Sequence, residues 1–293
     1  MTRLRLAALV ASALLAAPIA TVPTLAADEA GQPAAVTAAS GTVVESTAAA
    51  PASPATLVST AGPVTAQAAA VVRSPFRIDL ARPGDFVAQT NLVQCVGASM
   101  QMMLNMIEPT NDRSARTQLR LQTLARQWSG PAPTGRVRKG ASVRGWASGL
   151  TLLGHPYMLA GEDSLDAALR TAARAIRETG RPVGLLMWRG RHAWVMSGFT
   201  ATADPSQFDD FRVTRAIVQD PLYPYGSRVW GPSPRPGTAL TPEVLGQDYR
   251  RRRTGSTAAV WAGGSTLSWL AGKYVLVLPF EPQPSTVRTT RVL

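Results

Sequence analysis

The chain has 293 residues, a formal net charge of +12, one cysteine and two histidines. A single cysteine excludes an internal disulfide, and no second cysteine or histidine stands at the spacing of a metal site, so we expect no metal and no cofactor. The charge favours contact with anionic cell-surface polymers, although an Ala-, Arg-, Gly- and Pro-rich composition explains it more simply. No clustered aromatic and basic face suggests specific nucleic-acid recognition.

The first part of the chain is unlike the rest in composition. Residues 1–27 have the features of a secretory signal peptide, because Arg3 and Arg5 precede an apolar run that ends in small residues. That run is too short for a clear membrane span, which leaves an uncleaved anchor as the alternative. Residues 28–70 are rich in Ala, Thr, Ser and Pro and predict a disordered spacer or a propeptide, and residues 71–293 can form one domain. We therefore expect a secreted or cell-wall-associated protein without a membrane span once the signal is removed.

The remaining chain alternates in pattern between helix and strand. An extended entry with a Pro-Gly turn covers residues 74–88. Apolar spacing and capping residues predict helices over 96–107, 114–128, 142–153 and 164–179, and one that begins at Thr241. In the second helix, the apolar face consists of Leu119, Leu121, Leu124 and Trp128. Strands are predicted over 182–188, 192–199, 211–219 and 274–278, the first two as a hairpin around Arg189-Gly190-Arg191. Helices followed by antiparallel strands indicate an α+β domain.

Cys95 stands at the start of the first predicted helix. Free backbone N–H groups and the positive end of the helix dipole favour the thiolate form of a cysteine at this position. An idle exposed thiol is a liability outside the cell, so a reactive role is favoured over buried packing. Gln89 lies six residues upstream, close enough to turn its side-chain amide toward an atom that the sulfur attacks.

A thiol nucleophile needs a base and a group that orients the base. His192 is the first residue of the second strand of the predicted hairpin, at a rim where neighbouring residues can hold the ring and a substrate can reach it. His155 lies in a Gly-His-Pro turn and is expected to face solvent. Asp220 ends the next strand, and neighbouring antiparallel strands bring such ends within side-chain reach. Cys95, His192 and Asp220 thus predict a cysteine acyl-transfer site. Neither a P-loop nor a Gly-x-Ser-x-Gly elbow is present.

The residues around these three positions resemble a known family. Three segments resemble the papain-like cysteine peptidases, closest to their bacteriocin-processing, double-glycine branch, over about residues 83–222. They are Gln89 followed by Cys95-Val-Gly-Ala, then Gly-Arg-His192-Ala-Trp-Val-Met-Ser-Gly, and finally Val-Gln-Asp220-Pro. The resemblance implies a papain-like fold, in which an N-terminal helical part carries the nucleophile helix and packs on an antiparallel sheet. It also implies that Gln89 and a backbone N–H near the cysteine form the oxyanion hole. By the same resemblance Cys95 is the nucleophile, His192 the base and then the acid, and Asp220 the orienting group.

The chain departs from this family beside the cysteine. Many relatives have an acid just before it and a glycine just after it, whereas here Gln94 and Val96 take those places and the glycine is Gly97.

These features predict a secreted, monomeric cysteine peptidase that acts on a peptide or protein substrate. Two alternatives remain open. One is a transglutaminase-like or amidase acyltransferase that uses the same three residues, and the other is a catalytically inactive, basic protein that binds the cell surface. The run Arg250-Arg251-Arg252-Arg253 is typical of a solvated loop or helix end, and a processing site or a contact with anionic polymers are its other interpretations.

Overall fold

The computed structural model describes residues 72–130, 139–253 and 264–281. The predicted signal peptide, 1–27, and the predicted spacer or propeptide, 28–70, lie outside the described residues. The α-helices are α1 (Cys95–Ile107), α2 (Ala115–Gln127), α3 (Val143–Leu152), α4 (Leu165–Thr179) and α5 (Pro242–Asp248), and a 3₁₀ segment covers Gly264–Leu270.

The strands of the main sheet are β1 (Phe76–Asp79), β2 (Tyr157–Glu162), β3 (Val183–Met187), β4 (His192–Ala201), β5 (Val213–Gln219), β8 (Thr238–Leu240) and β9 (Tyr274–Pro279). A separate pair consists of β6 (Gly226–Ser227) and β7 (Gly231–Pro232). The main sheet has the order β2-β9-β3-β4-β5-β8, and β1 pairs with the second half of β4. All the pairings are antiparallel, so the described domain belongs to the α+β class.

Helices cover both faces of the sheet and divide the core in two. Strand β9 shows the division, because Val275 and Val277 pack in the core with α1–α3, while Leu276 and Leu278 pack in the core with α4 and α5. Alternate residues of a strand point to opposite faces, so one short apolar strand serves both cores. The sequence predicted helices packed on a sheet; the structure adds that α4 and α5 occupy the face opposite the cysteine helix.

The helix starts follow the predicted capping residues. Ser142, Ser164 and Thr241 each accept a hydrogen bond from a backbone N–H in the first turn of α3, α4 and α5. Helix α4 ends at Gly180, whose φ of 63° is in the left-handed region that terminates helices. Local sequence therefore determined where these helices begin and end.

Five of the nine strands in the described residues were not predicted as strands from the sequence: β1, β2 and β8 of the main sheet, and the two-residue strands β6 and β7. Strand β1 lies within the predicted extended entry, and β2 follows the Gly-His-Pro turn, where no strand was expected. In β2 only Tyr157 is fully buried, since the strand is at an edge of the sheet and pairs with β9 alone. Its apolar pattern is correspondingly weak.

None of the helices in the described ranges is both long enough and apolar enough to cross a membrane.

Candidate active site

Cys95 is the first residue of α1 and is half-buried. Gln94, the residue before it, provides no side-chain cap, and no hydrogen-bond acceptor for the N–H groups of Cys95 or Val96 is found among the described residues. The Ser99 hydroxyl donates to the Ala193 carbonyl at 3.2 Å and so ties α1 to β4. The open start of the helix therefore presents unpaired N–H groups beside the sulfur.

His192 and Asp220 meet where β4 begins and β5 ends. The pairing of Val195 with Gln219 puts the end of β5 next to the start of β4, and His192 Nε2 lies 2.6 Å from Asp220 Oδ1. Both side chains are buried, and the Leu222 N–H also donates to Asp220 Oδ1, at 2.8 Å. The carboxylate is thus held in place and fixes the orientation of the imidazole ring.

Cys95 and His192 line the same cavity, and Cys95 is one of the groups that raise the pKa of the imidazole. Because Nε2 faces Asp220, Nδ1 is the ring nitrogen left for the thiol. Burial alone lowers the pKa of His192, but the hydrogen bonds to Asp220 and Cys95 outweigh burial and raise it to about 9. The structure therefore brings the three predicted residues into one chain of contacts and favours a protonated ring between two acidic partners.

Trp188 covers the imidazole. Its ring stacks on His192 with a centroid distance of 4.1 Å and an interplanar angle of 21°. The side chain of Trp188 donates from Nε1 to Asp248 Oδ1 at 3.2 Å, and its backbone N–H donates to the Asp248 carbonyl at 2.9 Å. Burial raises the pKa of the Asp248 carboxyl. The sequence analysis missed both residues; an aromatic residue at the end of a strand, four positions before the histidine, was the available signal.

Gln89 lies beside the site but is not turned toward the sulfur. Its backbone N–H donates to the Pro221 carbonyl at 2.7 Å, next to Asp220, and its Nε2 donates to the Asn91 carbonyl at 2.8 Å. The cavity next to the sulfur is not lined by Gln89. Since Nε2 carries two hydrogens, one remains for another acceptor.

Two buried glutamines of α2 hold the loop that precedes the cysteine. Gln122 accepts from the Gly97 N–H at 2.9 Å and donates to the Val93 carbonyl at 3.0 Å. Gln118 accepts from the Thr90 N–H at 2.8 Å and donates to the Ala88 carbonyl at 3.0 Å.

The predicted apolar face of α2 was wrong in two of its members. Leu119 and Trp128 are 56% and 49% exposed, respectively, because the packed side of the helix uses Gln118 and Gln122. These glutamines have backbone partners, so their burial does not leave polar groups unsatisfied at those contacts. Apolar periodicity does not detect a face that is polar but hydrogen-bonded.

The close contact between α1 and α2 explains why a glycine stands at position 97, two residues after Cys95. A Cβ atom at Gly97 would lie 2.7 Å from the Gln118 carbonyl oxygen and 2.8 Å from Gln122 Cβ. Only a glycine therefore allows α1 and α2 to approach this closely.

A cavity of about 190 Å³ opens at the sulfur. Cys95 and His192 line it together with an apolar set, Leu92, Val93, Val96, Val143, Trp146 and Leu186. A cavity with this lining has room for an apolar group beside the thiol.

The second histidine is apart from this site. His155 Nε2 lies 2.9 Å from Glu108 Oε1, and its side chain is only 14% exposed, so the prediction that it faces solvent was wrong. In the described residues, no group of three or more His, Cys, Asp and Glu side chains is arranged to hold a metal ion.

Protein-family models, curated proteins and solved structures were each compared with this chain, and none matches it. The chemistry of the site therefore has to be inferred from its own residues: a half-buried thiol, a buried imidazole in contact with it, a carboxylate behind the imidazole and an apolar cavity in front.

Proposed function

We propose that this chain is a secreted cysteine hydrolase of the papain-like type that cleaves peptide bonds. The observation that carries the proposal is the chain of contacts Cys95–His192–Asp220 at a cavity, with a 2.6 Å hydrogen bond at its carboxylate end. The mixed helix and antiparallel-sheet architecture is compatible with it. The signal-like residues 1–27 support export of the protein.

In the first half of the reaction, the Cys95 thiolate attacks the carbonyl carbon of the scissile amide and a C–S bond forms. The protonated His192 gives its proton to the amide nitrogen, and the C–N bond breaks. The leaving amine departs and the acyl group stays on the sulfur. Asp220 keeps the ring oriented and stabilises its positive charge.

In the second half, His192 takes a proton from a water molecule, and the resulting hydroxide attacks the thioester carbon. The C–S bond then breaks, the carboxylic acid is released and the thiolate is restored. Trp188 shields one face of the ring throughout, which keeps bulk water from competing for the hydrogen bond to Asp220.

The oxyanion of each tetrahedral intermediate needs hydrogen-bond donors. The unpaired N–H of Cys95 is one, and the second hydrogen of Gln89 Nε2 is the other after a small rotation away from Asn91. Removal of one such donor typically lowers kcat about a hundredfold or more, so Gln89→Ala has that expected effect.

The test is a peptide-library digest read by mass spectrometry, with the wild type and the Cys95→Ala, His192→Ala, Asp220→Asn and His155→Ala variants. Cleavage is lost in Cys95→Ala, nearly lost in His192→Ala and weakened less in Asp220→Asn. His155→Ala is the matched control, because its ring contacts Glu108 and not the thiol, and it keeps full activity. Undiminished cleavage by folded Cys95→Ala protein would refute the proposal.

Two further measurements separate the alternative functions. With a primary amine in the digest, an acyltransferase gives amide products where a hydrolase gives free acids. Alkylation of Cys95 by iodoacetamide at mildly acidic pH is fast if an ion pair with His192 exists. A rate no faster than that of an ordinary free thiol favours an inactive binding protein instead.

A further inference from the structure

A groove lined by arginines lies near the candidate active site. Its walls are Arg189, Arg250, Arg251 and Arg253, with Arg252 and Tyr274 beneath, and its volume is about 630 Å³. We call it the arginine groove. The four wall arginines are exposed, whereas Arg252 is only 4% exposed.

The carboxylates nearest the arginine groove interact with it electrostatically without direct contact, Asp163 with Arg251 and Asp248 with Arg250. None of its arginines forms an ion pair with a carboxylate in the described residues. Arg189 and Arg253 both line the groove, and their side chains donate no hydrogen bond to any other described residue.

Arg252 makes the floor of the groove positive. Its Nη1 donates to the Leu267 carbonyl at 2.5 Å, and its buried Nε has no partner among the described residues. A buried cation without a carboxylate is costly to maintain and attracts an anion more strongly than an exposed one. The groove is therefore built around a charge that a negatively charged ligand would compensate.

A second groove borders both the arginine groove and the cavity at Cys95. This second groove shares Arg189 and Arg253 with the arginine groove and shares Arg191 with the cavity at the thiol. Its other walls are Trp188, Trp230 and Val229, of which Val229 is 82% exposed. An extended peptide has both the length and the mixture of apolar and charged side chains to follow this path, whereas a phosphate polymer has no apolar side chains to cover the aromatic wall.

We propose that the arginine groove binds an acidic stretch of the peptide substrate, several residues away from the bond that is cut at Cys95. This inference rests on the proposed peptidase function for its link to cleavage. The binding itself depends only on the arginines, and the two can be tested separately.

The binding test uses the full chain with Cys95→Ala, so that no probe is consumed. Fluorescein-labelled hexaglutamate and hexaglutamine are titrated and followed by fluorescence anisotropy at low and at high salt. Hexaglutamate binds at least about tenfold more tightly than hexaglutamine at low salt, and added salt removes most of the difference because it screens exposed charges. Arg189→Gln/Arg253→Gln weakens hexaglutamate binding about tenfold, since each exposed ion pair accounts for roughly a threefold change in affinity.

The matched control is Arg77→Gln/Arg116→Gln, which removes the same charge from exposed positions on β1 and α2 that lie outside the arginine groove. It changes hexaglutamate affinity less than about twofold, as expected for loss of net charge alone. An equal loss in both double variants overturns the proposal. So does an inorganic polyphosphate that binds the groove when hexaglutamate does not, because the site would then belong to phosphate polymers.

The link to cleavage is read from the peptide-library digest. Wild-type cleavage favours peptides with Asp or Glu several residues from the cut, and Arg189→Gln/Arg253→Gln loses this preference while it still cleaves neutral peptides. Loss of the preference in the control double variant as well overturns the link. If nothing is cleaved but hexaglutamate still binds in an arginine-dependent way, the peptidase proposal fails and the acidic-peptide site stands.

Discussion

His192 is the central residue of the proposed chemistry, because it lies between the thiol and the carboxylate. Its pKa is the net result of opposed effects, in which burial lowers the value and the hydrogen bonds to Asp220 and Cys95 raise it to about 9. The protonated ring is therefore the form that the site stabilises at neutral pH. Three predictions belong to this scale.

The first concerns pH. Because the proton on His192 is needed for the leaving amine, cleavage falls as the pH rises through about 9. Asp220→Asn removes a hydrogen bond that favours the protonated ring, so the alkaline limb of kcat/KM moves to lower pH and the maximum decreases. An alkaline limb at the same pH in the wild type and in Asp220→Asn would show that Asp220 does not raise the pKa of His192.

The same pKa has a consequence for stability. The folded-state pKa of His192, about 9, lies above the ordinary value of 6.5. The stabilisation from protonation is therefore fully present below pH 6.5 and is lost as the pH rises through about 9. Urea unfolding at these two limits measures the loss, and His192→Ala removes this part of the pH dependence.

The third residue-scale prediction is that Trp188 acts as a positioning residue. Trp188→Ala removes the stacked ring and the hydrogen bond to Asp248, so we expect kcat to fall about tenfold or more with a smaller change in KM. Trp188→Phe keeps a ring over His192 and recovers part of the rate. Trp128→Ala, at a half-exposed position just after α2, is the control and leaves kcat unchanged. A fall in melting temperature alone, without a change in kcat, would mean that Trp188 is only structural.

At the scale of elements, α2 acts as a clamp on the loop that carries the nucleophile. Gln118 and Gln122 reach from one face of α2 to the backbone on both sides of Asn91 and Cys95. Gly97 permits the close approach. Neither helix could position the thiol alone, since the loop before Cys95 has few other anchors to the fold.

The prediction at this scale is that Gln122→Ala both destabilises the domain and slows the enzyme. The change leaves the Gly97 N–H and the Val93 carbonyl without their partner, and buried unsatisfied groups cost about 1–3 kcal/mol each. We expect the free energy of unfolding to fall by about 2 kcal/mol and kcat to fall severalfold. Gln127→Ala, at an exposed position in the same helix, is the control, and an equal effect of both changes would argue against the clamp.

For the whole molecule, the last strand unites the two cores. Strand β9 pairs with β2 and β3 and sends alternate side chains to the two faces of the sheet. The strand that is nearly last in the sequence is therefore internal in the sheet. Loss of side-chain packing at β9 is consequently expected to lower the stability of the whole domain rather than that of one edge of the sheet.

Leu276→Ala tests this role. Leu276 is fully buried, and truncation of a buried leucine to alanine costs about 2–5 kcal/mol. We expect one cooperative unfolding transition with a lower midpoint, with the same midpoint by circular dichroism and tryptophan fluorescence. Leu119→Ala removes the same atoms from a position that is 56% exposed and shifts the midpoint little. Two separated transitions in Leu276→Ala would mean that the two cores unfold independently.

Local patterns were sufficient for most of the elements and for the residue types of the site. The capping serines, Thr241 and the apolar runs around Arg189-Gly190-Arg191 predicted helix starts and a hairpin that the structure contains, because caps and turns are decided by neighbours in the chain. The scarcity of cysteine and histidine drew attention to Cys95 and His192, and the ends of paired strands suggested Asp220. Their catalytic role remains a prediction.

What the sequence by itself determined is the identity of the candidate site residues and the local structure that carries each of them. Only the tertiary structure decided that Trp188 covers the imidazole, that Gln118 and Gln122 hold the nucleophile loop, and that Gln89 turns to Asn91 in the resting state. The physical reason is range: capping and periodicity are interactions between near neighbours, whereas these contacts join residues far apart in the chain, and the order of strands in the sheet brings them together.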